Sequence, residues 1–438
     1  MTMWYAERAW LGAAGGLAER VLVTTDGGRI ATVETSVDSP AGAIRLPGLV
    51  MPGLVNAHSH AFHRALRGRT HSGRGDFWSW RQQMYAVAER LDPDSYHDLA
   101  RAVYAEMLLA GITTVVEFHY LHHAPGGTRY ANPNAMGHAL RAAADDTGIR
   151  LVLLDTCYLQ SDVDGTPLSG PQLRYGDGDG EAWASRAADG PGDGAAIHSV
   201  RGCPPEAMRQ VAAWAAERDA PLHLHLSEQR RENDACLATF GRTPAQLCAD
   251  TGVLGSATTA VHATHLTDQD IARLGGSRTG VCFCPTTERD LADGVGPASS
   301  LVRAGVTLSL GSDSHAVVDL FEEARAVELD QRLVTGQRGH HTAASLLAAA
   351  TAGGADAARI PAGEIAAGRL ADLIAVRMDS VRLAGAASDD PVAAVVFAAT
   401  AADVSHVVRG GQLVVSEGVH LTAGDVADAL DTAIRSLF

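Results

Sequence analysis

Apolar and polar positions are arranged in two different ways along this chain. Toward both ends, short apolar runs are divided by turn residues. Val21-Leu22-Val23-Thr24 and Arg29-Ile30-Ala31-Thr32-Val33 flank Asp26-Gly27-Gly28 near the start, while Leu373-Ile374-Ala375-Val376 and the stretch Val407 to Val415, broken by Gly410-Gly411, lie near the finish. Such runs predict strands joined by tight turns, and a compact unit commonly brings its termini together. Residues 1–48 and 365–438 are therefore expected to form one small β-sandwich domain. Between them, eight short apolar runs alternate with alanine-rich stretches of helical character, among them 95–110, 204–217 and 268–274. The runs centre on Leu54-Val55, Val115-Val116, Leu151 to Leu154, Ala196-Ile197, Leu222 to Leu226, Ala260-Val261, Val281 to Phe283 and Leu308 to Leu310. Eight strand–helix units predict an α/β fold, a (β/α)8 TIM-type barrel over 49–364 with its chemistry at the C-terminal ends of the strands. Residues 161–194, rich in Gly, Asp and Pro, read as a loop or excursion over the barrel mouth.

Most of these runs end in polar residues, which is costly at a buried strand end unless a partner or a metal satisfies them. The first ends at His58 and His60, the second at His119-Tyr120, the fourth at His198 and Arg201, the fifth at His225 and Glu228, the sixth at His262 and the eighth at Asp313. His58 and His60 are two apart, so on a strand they share a face. Three imidazoles and a carboxylate (His58, His60, His225, Asp313) make a donor set suited to one divalent metal ion, with Zn2+ preferred and iron or manganese as alternatives. Such an ion lowers the pKa of a bound water to about 7. Glu228 is then placed to shuttle a proton and His262 to orient the electrophile. His223 is expected to pack or make a structural hydrogen bond, and His265 to lie behind the site or at the surface.

Composition narrows the partners. The chain of 438 residues has a formal charge of −16, which argues against nucleic-acid or anionic-membrane partners and requires locally placed Arg for any anionic substrate. Arg81, after the aromatic run 77–80, and Arg201 are the candidates, because guanidinium groups read carboxylates bidentately. All 35 basic residues are Arg, so no carbamylated lysine can bridge two metals and a single ion is favoured. The segment Met1 to Arg8 has no leader pattern, and no run nears the ~18 apolar residues of a membrane span. The six Cys form no CxxC pair, so the expectation is a cytoplasmic protein with reduced thiols.

MPGLVNAHSH (51–60), HLHLSE (223–228), the His262 run and GSDS (311–314) together resemble the deaminase branch of the amidohydrolase superfamily. Within it, NAHSHAFHRAL, FWSWRQQMY, EFHYLHH, IHSVR, HLHLSEQ and TTERDLADG are similar to formiminoglutamate deiminases of histidine breakdown. The resemblance covers nearly the whole chain. It implies metal ligands His58, His60, His225 and Asp313; catalytic roles for Glu228, His262 and Asp313; substrate contacts from His63, Arg81, Tyr120, His198 and Arg201; a small dicarboxylate substrate; and a homodimer. His63 departs from the Gln found in some members, which puts that substrate contact in question. Two other readings stand beside this one: a related zinc deaminase of a purine, pyrimidine or other ring, and a non-catalytic barrel that serves as a binding protein.

Overall fold

The structure, a computed structural model, describes residues 1–71, 77–386 and 389–438. Four strands open it: β1 (Thr2–Trp10), β2 (Leu17–Asp26), β3 (Arg29–Glu34) and β4 (Ile44–Pro52). Eight follow at the expected apolar runs: β5 (Leu54–Ser59), β6 (Ile112–His119), β7 (Arg150–Cys157), β8 (Gly194–Ile197), β9 (Leu222–Leu226), β10 (Thr258–His262), β11 (Gly280–Phe283) and β12 (Leu308–Leu310). The last are β13 (Leu373–Val376), β14 (Val404–Arg409), β15 (Gln412–Ser416) and β16 (Val419–His420).

β5 to β12 form one parallel sheet in chain order, and a bridge between Ser59 and Asp313 closes it into a barrel. Parallel strands covered on both faces read as continuous apolar runs, and β6 is buried at every position. The connecting helices include Pro93–Leu109, Pro205–Glu217 and Asp268–Ser277. Capping boxes of Asp92 with Ser95 and of Thr267 with Asp270 start the first and third of these, each satisfying amide groups that the first turn leaves open.

The remaining strands form the second sheet, ordered β16-β15-β14-β13-β4-β1-β2-β3, with contributions from both ends of the chain. The expected sandwich is one continuous sheet folded over on itself. Its far edge returns to the segment just before β13 through the Arg29–Leu370 bridge and the Ile30 amide on the Arg369 carbonyl (2.9 Å). The fold encloses Trp4, Val21, Val23, Ile30, Val50 and Leu373.

Two features depart from the expected division at residues 48 and 365. β4 continues to Pro52, because its pairing with β13 extends over Leu49 to Pro52. The C-terminal segment also supplies helices Pro391–Ala398 and Val426–Arg435, which pack on the barrel helices rather than on the sheet.

Residues 161–194 are a correction of a different kind. They do not form a loop throughout: a 3-10 turn spans Gly170–Arg174 and an α-helix spans Gly180–Ala188. That helix is the crossover from β7 to β8. Asp179 caps it through the Ala182 amide, and Arg186 ties it down. The Arg186 guanidinium donates to both oxygens of Asp155 at the end of β7 (2.7 and 2.8 Å) and to Asp177 (3.0 Å), and Trp183 Nε1 donates to Asp155 (2.8 Å). Burial by itself would raise the two carboxyl pKa values, but hydrogen bonds and the charge of Arg186 hold both below the usual range.

Arg186→Ala leaves two buried carboxylates without their cation and should cost about 3–5 kcal/mol at neutral pH, read from denaturant midpoints. Because both acids titrate low in the fold, the stability they contribute is present above the unfolded pKa of about 4 and is lost as the pH falls below it. The gap between variant and parent should therefore narrow below about pH 4. An unchanged gap would place the cost elsewhere.

Candidate active site

The barrel seam builds the site. β5 and the segment after β12 exchange backbone hydrogen bonds: the Asp313 amide donates to the His58 carbonyl (3.0 Å), and the His60 amide donates to the Asp313 carbonyl (3.3 Å). Asn56 locks the same seam from its side chain, giving Nδ2–H to Ser312 Oγ (2.7 Å) and accepting from the Ser312 amide (2.9 Å). Gly311 is required there, since a Cβ would lie 2.7 Å from the His58 Cβ and 2.8 Å from its carbonyl oxygen. The chain then turns through the left-handed region at Asp313 (φ 39°), as it does at Ser227 (51°) and His262 (69°) after neighbouring strands. Non-glycine residues rarely adopt this conformation, and such strain concentrates at functional sites.

His58 Nε2 and His60 Nε2 stand 3.3 and 3.4 Å from Asp313 Oδ1. His225, two residues beyond His223 on the same face of β9, brings its Nε2 to 3.1 Å from that of His58 and 3.4 Å from that of His60. The tautomers test whether the group suits a metal. His60 Nδ1–H donates to the Phe118 carbonyl (2.9 Å) and His225 Nδ1–H to the His198 carbonyl (2.8 Å), so both Nε2 atoms present lone pairs. Burial first, and then neighbouring His58, hold His60 neutral with a pKa lowered to about 3. Facing lone pairs repel unless a cation lies between them. Tetrahedral zinc–nitrogen bonds of about 2.0–2.1 Å set donors about 3.3 Å apart, so this donor group fits such an ion. His223 instead bonds the Ala357 carbonyl (2.9 Å) and takes no part.

Beside these donors lie Glu228 and His262. His262 Nε2 is 3.9 Å from Glu228 Oε1 and 3.8 Å from Asp313 Oδ2, while its Nδ1 is held by Glu288 Oε1 at 3.3 Å. Burial disfavours the charged ring, yet Glu228, the hydrogen bond to Glu288 and Asp313 together keep it protonated well above its ordinary range. The Asp313 carboxyl would be raised by burial, but the His58 hydrogen bond and the nearby imidazoles hold it far below the carboxylate range. Arg201 spans two acids, with Nε on Glu232 (2.8 Å) and an Nη on Glu228 (3.1 Å). The same guanidinium that faces the pocket therefore also positions Glu228.

A pocket opens over this group. Of the residues expected to contact substrate, His63, Arg81, Tyr120, His198 and Arg201 all line it. His58 is fully buried behind it. His63 meets the Tyr120 hydroxyl at 2.8 Å. His119, at the same strand end as Tyr120, points the other way, as strand alternation requires, and packs on His122 with ring centroids 4.8 Å apart.

Sequence reasoning missed several participants. Trp80, Met84 and Tyr85 line the pocket together with Arg81. They sit one helical turn apart on Phe77–Ala88, a spacing visible in FWSWRQQMY. Tyr158 stacks on His198 (3.9 Å between centroids). Glu117 holds the chain on either side of His60, accepting from Ser59 Oγ (2.7 Å) and the Ala61 amide (2.6 Å), and burial pushes its carboxyl up to about 8. Its signal was a lone acid inside an apolar run. Glu288 carried no comparable signal, because its partner His262 lies 26 residues away.

Known proteins share this architecture. The amidohydrolase family model matches residues 49–414. The formimidoylglutamate deiminase of Pseudomonas aeruginosa is 36% identical over 439 residues, covering 96% of each chain. The 8-oxoguanine deaminase of the same organism is 32% identical, covering 84% of this chain and 83% of its own. The crystal structure of an amidohydrolase from Brucella melitensis superposes with a TM-score of 0.91 at 30% identity over 100% of both chains. The chain belongs to the amidohydrolase family, as a deaminase-type hydrolase that acts on carbon–nitrogen bonds.

Proposed function

We propose that this enzyme hydrolyses N-formimino-L-glutamate to N-formyl-L-glutamate and ammonia, as a step of histidine degradation, with one divalent metal, preferably Zn2+, held by His58, His60, His225 and Asp313. The observation that carries the substrate class is Arg81. It lines the pocket, stacks over Trp78 (4.7 Å) and Tyr85 (5.4 Å), and has no carboxylate partner among the described residues of a chain with a net charge of −16. Arg201 adds a second guanidinium, partly balanced by Glu228 and Glu232. Two cations in one pocket suit an acyclic dicarboxylate. The identity to a formimidoylglutamate deiminase supports the same reading.

When bound, the metal supplies a water acidified to a pKa of about 7 and polarises the carbon under attack. Glu228 Oε1 faces the reaction volume, while Oε2 rests on Arg201 (3.1 Å). This carboxylate accepts a proton from the attacking water and returns it to the nitrogen that leaves as ammonia. His262, anchored through Nδ1 by Glu288, directs Nε2–H at the charge that develops on the former formimino group. Asp313, kept ionised, takes the remaining water proton and gives it up to the same nitrogen, which then carries both and leaves as ammonia. Tyr120, His198 and His63 hold the substrate between the two ends. The balance is R–NH–CH=NH plus water to R–NH–CHO plus ammonia.

A ring deaminase is the second reading, favoured by the aromatic wall of Trp80, Tyr85, Tyr120 and Tyr158 and by the 8-oxoguanine deaminase relative. It needs neither guanidinium for a carboxylate.

Ammonia release from N-formimino-L-glutamate by zinc-loaded protein is expected, with N-formyl-L-glutamate as the carbon product. Formamide with glutamate would mean that the other C–N bond is cut. No turnover, together with activity on a purine or pyrimidine panel, would establish the ring reading. Arg81→Met should lower kcat/KM for the dicarboxylate by about 10–100-fold, in line with the loss of a hydrogen-bonded charge worth about 1.5–3 kcal/mol. Glu228→Gln should cut kcat by about 10²–10⁴-fold at unchanged metal content.

Metal retention gives a separate check. Elemental analysis should find metal lost from His225→Ala. Zinc at about 100 times its Kd should stabilise the parent by about 2.7 kcal/mol and leave that variant unmoved.

A further inference from the structure

Where β5 leaves the barrel, it does not keep a regular ladder with β6. Asn56 pairs with Val115 and Ser59 with Glu117, so three steps on β5 face two on β6 and one extra residue lies at Ala57–His58. Such a bulge bends the strand, re-aims its side chains and interrupts the ladder. Two consecutive residues of β6 fasten the chain beyond it. Glu117 Oε2 accepts from Ser59 Oγ (2.7 Å), the Phe118 carbonyl accepts from His60 Nδ1 (2.9 Å), and Glu117 Oε1 accepts from the Ala61 amide (2.6 Å). Ala61 begins the 3-10 turn Ala61–Leu66, whose leading residue His60 supplies no side-chain cap. The Glu117 carboxyl group therefore meets an open amide of that turn from another strand, and His63 of the same turn lines the pocket.

Glu117 is fully buried and does not line the pocket, so its influence on the site runs through the chain it holds. Through Ser59 Oγ it also reaches the other side of the seam, where His315 Nε2 stands 3.0 Å from that hydroxyl, two residues beyond Asp313. One carboxyl group is thus tied to the segments that carry His58, His60 and Asp313. A metal site holds its donors within about 0.2 Å of their preferred distances, and groups behind the ligands keep them there. We propose that Glu117 is a positioning residue for the metal donors. By bracketing His60 and pinning the bulge that carries His58, it sets how tightly the site holds its ion. The proposal rests on the metal reading above and is independent of the substrate. A buried acid that served only the barrel would instead act equally on the loaded and the metal-free protein.

The test is zinc affinity, measured by chelator competition on the zinc-loaded protein and three variants. Glu117→Met keeps most of the side-chain volume and removes both acceptor oxygens. Its zinc Kd should rise about 10–100-fold, the usual effect of losing a group behind the ligands. Glu117→Gln keeps an acceptor for the Ala61 amide and an amide group for Ser59 Oγ, and it should restore most of the affinity. Ser59→Ala removes one arm of the clamp and should fall between the two. The Tm difference between chelated and zinc-loaded samples should shrink in the same order. An unchanged zinc Kd in Glu117→Met, with Tm falling equally in chelated and loaded protein, would overturn the proposal and leave Glu117 a purely structural role. So would a Gln variant as weak as the Met variant, because the retained acceptor would then hold nothing in place. If Glu117→Met does not fold, Ser59→Ala decides: a weakened zinc Kd supports the clamp, and a parental one overturns it. If the parent takes up no divalent ion, the metal reading fails first and the proposal falls with it.

Discussion

The site depends on the backbone exchange that closes the barrel between β5 and the segment after β12. Asp313 lies more than 250 positions from His58 and His60 in sequence, and the seam makes them neighbours through paired amides and carbonyls. Asn56 bonds Ser312 in both directions, so the seam is locked by a side chain as well as by backbone. Gly311 leaves the space that the closure needs, because any side chain there would press on His58. Closing the barrel therefore brings three of the four donors together, and with His225 from β9 they form a buried group.

Around the donors, acidic and basic groups are arranged in alternating shells. Asp313 sits among imidazoles, His262 sits among Glu228, Glu288 and Asp313, and Arg201 sits between Glu228 and Glu232. Each charge is buried, so each would be costly alone and is tolerable only with its partners. This arrangement gives Glu228 and His262 defined orientations, since Arg201 holds the first and Glu288 the second. Farther out, the Asp155–Arg186–Asp177 cluster performs the same task for the β7–β8 crossover without touching the pocket lining.

The pocket divides into a metal-donor end and a wall to which helix Phe77–Ala88 contributes four side chains. Trp80, Arg81, Met84 and Tyr85 come from that one helix, so its docking sets the shape of the wall. Buried Arg174 helps to dock it, bonding the carbonyls of Ala88, Leu91 and His123 together. The 3-10 turn that carries Arg174 lies in the Gly-rich segment whose composition suggested a free loop.

Much of this was legible in the sequence, for identifiable reasons. Strands buried on both faces must be apolar throughout, so all eight barrel strands announced themselves. The HxH spacing and the polar strand ends marked the donors, because period-two geometry and the cost of burying polar groups are local properties of the chain. The unit at 180–188 was hidden, because Gly and Asp around it outweighed a short helix whose stability comes from Arg186 reaching Asp155. Glu288 and Glu117 were hidden as well, since what distinguishes each is a partner brought in by a distant segment. The sequence by itself determined the barrel, the donor types and the basic residues near them, because these follow from periodicity and chemistry along the chain. Only the tertiary structure decided which nitrogen each histidine presents and which acid each arginine holds, because these depend on contacts formed when the barrel closes.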